Sequence, residues 1–191
     1  MLWPFNRFRK PRAPPRGTIE VIYGTIVTQV RDPVFYLNLG VPDTVDGRFD
    51  LLVVHLWMVL RRFRSAAGLE NVSQALFDHF CDDMDGNLRE MGVGDLAVPK
   101  RMRAFGEAFY GRAAAYDIAL EQGAEPLARA LSRNVLNGQG MENALRLATY
   151  VGVAVANLAE LDSASLTAAT WTFPSPEVAE VKAIHGNDPE Q

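Results

Sequence analysis

The sequence predicts an all-α fold. Apolar residues recur at three- and four-residue spacing along most of the chain, as they do in helices with one buried face. Prolines stand where such stretches open and glycines where they close. At 48% hydrophobic and 22% charged residues the composition is that of ordinary globular material, with apolar side chains enough for a sizeable core. A length of 191 residues fits one domain. The expectation is a single compact multi-helix domain of about six to eight helices over residues 18–161. A flexible basic and aromatic arm precedes it at 1–17, and an irregular C-terminal segment follows at 162–191, packing on the body before a disordered tail. There is no internal repeat and no low-complexity tract.

Ile19, Ile22, Tyr23, Ile26, Val27 and Val30 share one face of a first helix, although their β-branched content leaves a strand open. Asp32-Pro33 is a break, and Pro33 opens a short helix carrying Phe35, Tyr36 and Leu39 that Gly40 and Pro42 end. Val41 to Gly47 reads as a loop. Phe49 to Phe63 is apolar on nearly all sides and predicts the central helix. Arg61, Arg62 and Arg64 crowd its last turn, where the helix dipole favours cations, and Gly68 closes it.

The next helix runs from about Asn71 to Met91 on the stripe Val72, Leu76, Phe80, Met84, Leu88 and Met91. Asp78, Asp82, Asp85 and Arg89 cluster on its opposite face. Gly86 inside it costs about 1 kcal/mol against alanine and reads as a point of close approach. After a hinge at Gly92 and Gly94, Pro99 opens a helix to about Gln122 on the stripe Val98, Met102, Phe105, Phe109, Ala113, Tyr116 and Leu120. Pro126 opens a short helix to Leu136, and Asn137-Gly138 with Gly140 turn the chain. Residues 142–161 form the last long helix, where Ala144, Ala148, Gly152 and Ala156 make a small-residue groove for another helix. Past Leu161 the periodicity ends, and Trp171 and Phe173 among prolines predict a segment lying on the body, with apolar surface for lipid or a client.

The charge is uneven. The whole chain carries −4, yet residues 1–16 carry +5 through Arg7, Arg9, Lys10, Arg12 and Arg16, so the rest carries −9. No broad basic field marks a nucleic-acid binder. In the arm, Trp3, Phe5 and Phe8 beside Arg7, Arg9, Lys10 and Arg12 suit contact with an anionic membrane surface; an ordinary disordered terminus is the alternative. Cys81 is the only cysteine, which excludes a disulfide framework and fits a reducing compartment. A basic start followed by prolines is not a secretory signal, and Leu51 to Leu60 is too short for a span. A cytoplasmic protein is expected, with a peripheral place on the cytoplasmic face of the inner membrane.

From Asp78 to Asp95 there are six carboxylates and one arginine; from Pro99 to Arg112, four basic residues and one glutamate. Two oppositely charged helices joined by a glycine turn suit helix pairing or a charged docking surface. Asp78, Asp82, Asp85, Arg89, Lys100 and Arg103 are the candidates for partner binding. Edge residues Arg101 and Arg112 are expected to pair with Asp83 and Glu90 across the two helices.

Catalytic and metal chemistry find less support. His79 and Asp83 share a helix face, but His55 and His185 are not placed to complete a metal set, and no metal is expected. If Gly86 were the glycine of a calcium loop, Cys81 would hold its first ligand position, so that motif fails. There is no nucleophile elbow, phosphate loop or dinucleotide fingerprint. His55 reads as a hydrogen-bonded core histidine, and the acidic neighbours of Cys81 oppose a thiolate. The alternative to a binding protein is a small Mg-dependent helical enzyme of the isoprenoid-synthase kind. Its two Asp-x-x-x-Asp pairs would be Asp46 with Asp50 and Asp78 with Asp82.

The stretch Asp82-Asp-Met-Asp-Gly-Asn-Leu-Arg-Glu-Met-Gly-Val-Gly-Asp95, with Leu-Ala-Val-Pro-Lys-Arg-Met102 after it and Phe109-Tyr-Gly-Arg112 beyond, resembles the ubiquinol–cytochrome c chaperone family. Leu39-Gly-Val-Pro-Asp-Thr44, Asp46-Gly-Arg-Phe49 and His55 extend the resemblance, which covers roughly residues 18 to 160. It implies an all-helical assembly factor of the cytochrome bc1 complex, not an enzyme and without a cofactor. It also implies newly made cytochrome b as the client, with a small helper protein beside some members.

Overall fold

The computed structural model describes residues 16–179, so the arm residues Trp3, Phe5, Arg7, Phe8, Arg9, Lys10 and Arg12 and the end of the tail lie outside the described residues. Among the described residues there is no strand, and eight helices follow one another: α1 (Arg16–Val30), α2 (Val34–Leu37), α3 (Val45–Ser65), α4 (Glu70–Glu90), α5 (Val98–Gln122), α6 (Ala124–Val135), α7 (Met141–Glu160) and α8 (Ser163–Ala168).

α3 is the hub. Leu51, Val53, Val54, His55, Leu56, Trp57, Met58, Val59 and Leu60 are consecutive or nearly so, and all are buried. A helix apolar all round has to be covered all round, and α1, α4, α5, α6 and α7 each pack against it. α1 is a helix rather than a strand because its spacing gathers Ile19, Ile22, Tyr23, Ile26 and Val30 on the one face that α3 and α4 cover.

The central helix begins at Val45, four residues before the apolar run. Thr44 caps it, its side chain accepting from the Gly47 amide at 3.1 Å. Gly47 is required here: a Cβ would stand 2.1 Å from the Pro42 carbonyl oxygen. At its far end the three arginines reach other helices instead of serving only their own dipole. Arg61 and Arg64 meet Asp117 on α5 at 3.3 and 3.0 Å. Arg62 donates to the carbonyls of Leu158 and Leu161, the open C-terminal end of α7.

His55 is fully buried in this hub, with both ring nitrogens used. A carbonyl only accepts, so Nδ1–H donates to Leu51 (2.8 Å), and the Tyr150 hydroxyl donates to Nε2 (2.8 Å). The rings of Phe35, Tyr150 and Phe173 enclose it at centroid distances of 5.4, 5.6 and 5.0 Å. Burial therefore lowers its pKa to about 4, against a smaller opposing pull from the Leu51 hydrogen bond.

Beyond α7 the chain does not lose its structure at once. Asp162 caps α8, its carboxylate accepting from the Ser165 amide at 2.7 Å, and that bond holds the carboxyl below the usual range. Trp171 and Phe173 follow and are buried, with the Trp171 ring nitrogen donating to the Leu166 carbonyl at 3.2 Å. This corrects their assignment to lipid or client contact: they complete the core. Two smaller expectations also shift. A Cβ on Gly86 would meet open space, so no close approach occurs there. Of the small stripe on α7, Ala144 and Ala148 are buried but Ala156 is exposed.

Two outcomes follow. Gly47→Ala should destabilise by about 1–3 kcal/mol in urea titrations, through overpacking against backbone, where alanine in an open first turn would be neutral or better. Between pH 6.5 and about 4 the unfolded chain binds the His55 proton that the folded chain refuses. Stability should thus fall as pH falls through that window, by about 3 kcal/mol in all. His55→Gln should flatten the slope of urea midpoint against pH there.

Candidate functional site

A groove of about 710 Å³ opens where the C-terminal ends of α1 and α4 meet the N-terminal ends of α3 and α5. Its walls are half-buried and apolar: Val27, Phe49, Leu52, Met84, Leu88, Met102 and Phe105. Phe105 holds the walls together, its ring 5.2 Å from Phe49 on α3 and 5.2 Å from Phe80 on α4. Val45 (72% exposed) and Met91 (69% exposed) stand at the mouth. Arg31, Asp46, Glu90 and Arg101 are exposed around it. Arg48 also lines it, bound to Asp43 at 2.7 Å and lying over the Tyr36 ring at 5.0 Å.

Sequence reasoning read Met84, Leu88, Met91 and Met102 as core-facing stripe. The stripe has the same spacing whether or not another helix covers it, so the groove left no periodic trace. The local concentration of methionine in Met84, Met91 and Met102 is the one signal that could have pointed to it, since methionine is the side chain of adaptable binding surfaces.

The expected ion pairs between α4 and α5 do not form. Arg112 binds Asp50 on α3 instead of Glu90 or Asp83. Asp50 is shielded from water, and burial raises its pKa more than the guanidinium lowers it. Asp83 accepts from the Tyr23 hydroxyl on α1 at 2.7 Å, and the Tyr23 ring sits edge-on to His79 at 5.0 Å. The Tyr23 pKa rises through burial and that bond. Arg101 and Glu90 make no ion pair among the described residues; both face the groove. Arg112 and Asp83 are taken by partners on α3 and α1, and Glu90 and Arg101 stand on the rim of the groove instead of against each other.

The acidic stripe is on the surface. Asp78 and Asp82 are exposed, and Asp78 accepts from Gln74 at 2.7 Å. Asp85 is half-buried and held by Arg89, which also binds Asp95. Arg89 is thereby folded back onto its own segment. Arg103 pairs with Glu107 at 3.1 Å, and Lys100 is exposed. Cys81 sits between Asp78 and Asp82, and burial followed by those two carboxylates pushes its thiol pKa up.

The Asp-x-x-x-Asp matches do not assemble a shared site. Asp50 is committed to Arg112, and Asp46 lies at the mouth of the groove. Among the described residues no three histidine, cysteine, aspartate or glutamate side chains converge as metal ligands would. Nor is any described helix long and apolar enough to cross a membrane.

With this geometry in place, comparison with known proteins is decisive for kinship. The family model described as ubiquinol-cytochrome C chaperone matches residues 37–173, a stretch that takes in α3 to α8 and the buried Trp171 and Phe173. The chain belongs to the ubiquinol–cytochrome c chaperone family. The crystal structure of the Cbp3 homolog from Brucella abortus is similar to this chain, 34% identical with a TM-score of 0.77, covering 84% of this chain and 91% of that one. Among curated relatives, the ubiquinol-cytochrome-c reductase complex assembly factor 1 of Xenopus laevis is 28% identical over 120 residues, 62% of this chain and 60% of that protein. The factor of the same name from Mus musculus is 27% identical over 143 residues, 74% of this chain and 48% of that protein. The chain thus spans about half the length of the curated family members it matches.

The half-buried pair of Arg112 and Asp50 gives a test of the site's framework. Arg112→Ala should cost about 2 kcal/mol by leaving Asp50 shielded and unpaired. The exchange Asp50→Arg with Arg112→Asp should recover most of that loss, and Glu90→Arg with Arg112→Glu should recover none, as read from thermal or urea midpoints.

Proposed function

We propose that this chain is an assembly chaperone of ubiquinol–cytochrome c reductase, the cytochrome bc1 complex, and that its client is newly made cytochrome b. One observation carries the reading: the family match through residues 37–173, backed by a fold shared with the Brucella abortus relative over most of both chains. Such a protein acts stoichiometrically, by holding surface of the client until its neighbours arrive. Bond-making machinery and a cofactor of its own are not part of the reading.

The acidic face of α4 is the second element. Asp78 and Asp82 are exposed carboxylates with no arginine on them among the described residues. Membrane proteins keep their lysine and arginine excess in the loops on the cytoplasmic side, and a carboxylate pair one helical turn apart would meet such loops. Long-range attraction of this kind acts mainly on encounter rate. Asp85, Arg89, Lys100 and Arg103 would be further contacts for the client, although Arg89 and Arg103 would first have to leave the acids of their own segments. The +5 arm at residues 1–16 would keep the protein at an anionic bilayer beside its client, on the cytoplasmic face of the inner membrane. A small helper protein, as beside some family members, would occupy further surface.

Deleting the gene should lower the b-type band of the reduced-minus-oxidised membrane spectrum together with assembled bc1 complex. Unchanged levels of both refute the reading. With the complemented strain, Asp78→Lys with Asp82→Lys should slow capture of cytochrome b in pull-downs and remove its dependence on salt, without changing the thermal midpoint by more than about 0.5 kcal/mol equivalent.

A further inference from the structure

We infer that the groove between α1, α3, α4 and α5 is a docking site for an amphipathic α-helix of another polypeptide. That helix carries an apolar stripe with an acidic flank on one side and a basic flank on the other. The inference rests on the chaperone reading only in taking the occupant to be a polypeptide.

Three observations on the groove converge. Its walls are apolar and include three methionines, whose unbranched side chains adapt to different apolar shapes. Its volume of about 710 Å³ is sufficient for several side chains from successive turns, the way a helix seats its apolar face in a groove. Its mouth carries four exposed charges, Arg31, Asp46, Glu90 and Arg101, none with an ion pair or side-chain hydrogen bond among the described residues.

Two of these charges are placed against their own helices. Glu90 ends α4, where the dipole is negative, and Arg101 lies in the first turns of α5, where the dipole is positive. Each is locally unfavourable and has no ion pair among the described residues. A residue that breaks a local rule in an otherwise consistent structure marks a functional position. The compensation comes from outside, as a base for Glu90 and an acid for Arg101.

The mixture of signs selects the occupant. A fatty acid, a phospholipid headgroup or any other anionic amphiphile would satisfy Arg31 and Arg101 while meeting Asp46 and Glu90 head-on. A uniformly apolar membrane span would leave all four without partners. An amphipathic helix with both signs beside its stripe answers all of them. The dipoles add no bias, since two helix C-termini and two N-termini meet at the mouth.

The test uses the full chain and four fluorescently labelled 18-residue helical peptides sharing one leucine stripe. Their flanks are acid with base, base with acid, all acid and all base. Vesicles of phosphatidylglycerol with phosphatidylcholine form a fifth arm. Anisotropy should show one mixed peptide binding at least tenfold tighter than either uniform peptide. Met91→Asp, at a position exposed enough to leave folding intact by circular dichroism, should abolish that binding. Glu90→Arg with Arg101→Glu should transfer the preference to the other mixed peptide. Equal binding of all four peptides, tighter binding of a uniform one, vesicle binding that Met91→Asp removes, or indifference of the mixed peptide to these variants would each overturn the inference. Because no cytochrome takes part, failure here is separate from failure of the bc1 reading, which the membrane spectra decide.

Discussion

A helix that offers apolar side chains in every direction has no solvent side, and α3 is such a helix from Val53 to Leu60. Everything else in the fold is arranged to surround it. α1, α4, α5, α6 and α7 each contribute a single apolar face to it, so each can keep a polar face outward. The one polar side chain deep in that hub, His55, is admitted because Leu51 and Tyr150 satisfy both its nitrogens while three rings exclude water. The same requirement explains why the C-terminal residues Trp171 and Phe173 are drawn inward: without them one side of the hub would face solvent.

Around the hub, charge serves as a set of clips between elements rather than as a uniform coat. Arg112 and Asp50 join α5 to α3, Asp117 gathers Arg61, Arg64 and the Trp57 ring nitrogen, and Arg62 closes the carbonyl end of α7. These partners are distant in sequence and meet only because the helices pack as they do. By contrast, Arg89 and Arg103 are spent on acids of their own segments. Charges without an ion pair among the described residues also stand on other helices, such as Glu20, Glu121, Arg133 and Glu142. The mouth of the groove differs in setting Arg31, Asp46, Glu90 and Arg101 around an apolar opening.

How much of this was legible in the chain depends on the physics that set each feature. The helices were, because spacing such as that of Val72, Leu76 and Phe80 is a property of the segment itself. The core role of His55 was legible from its apolar neighbours. The start of α3 at Val45 was missed because a threonine cap in a polar, glycine-containing stretch looks like loop until the Gly47 amide is seen on Thr44. α8 was missed for a similar reason: six residues are too few to show a period, although Asp162 before Ser163 and Leu166 is a cap signature. The ion pairs were misassigned because sequence shows that Arg112 lies at a helix edge but not which neighbour shields it. The groove was invisible because an uncovered apolar stripe and a covered one are spelled alike.

The contact between Phe173 and His55 has a consequence for how the molecule comes into being. Translation delivers His55 well before Phe173, with 117 residues between the two rings. Until position 173 has left the ribosome, the central histidine has one wall missing and stays open to water and protons. The enclosure of His55 seen in the folded state is therefore complete only once most of the polypeptide is made.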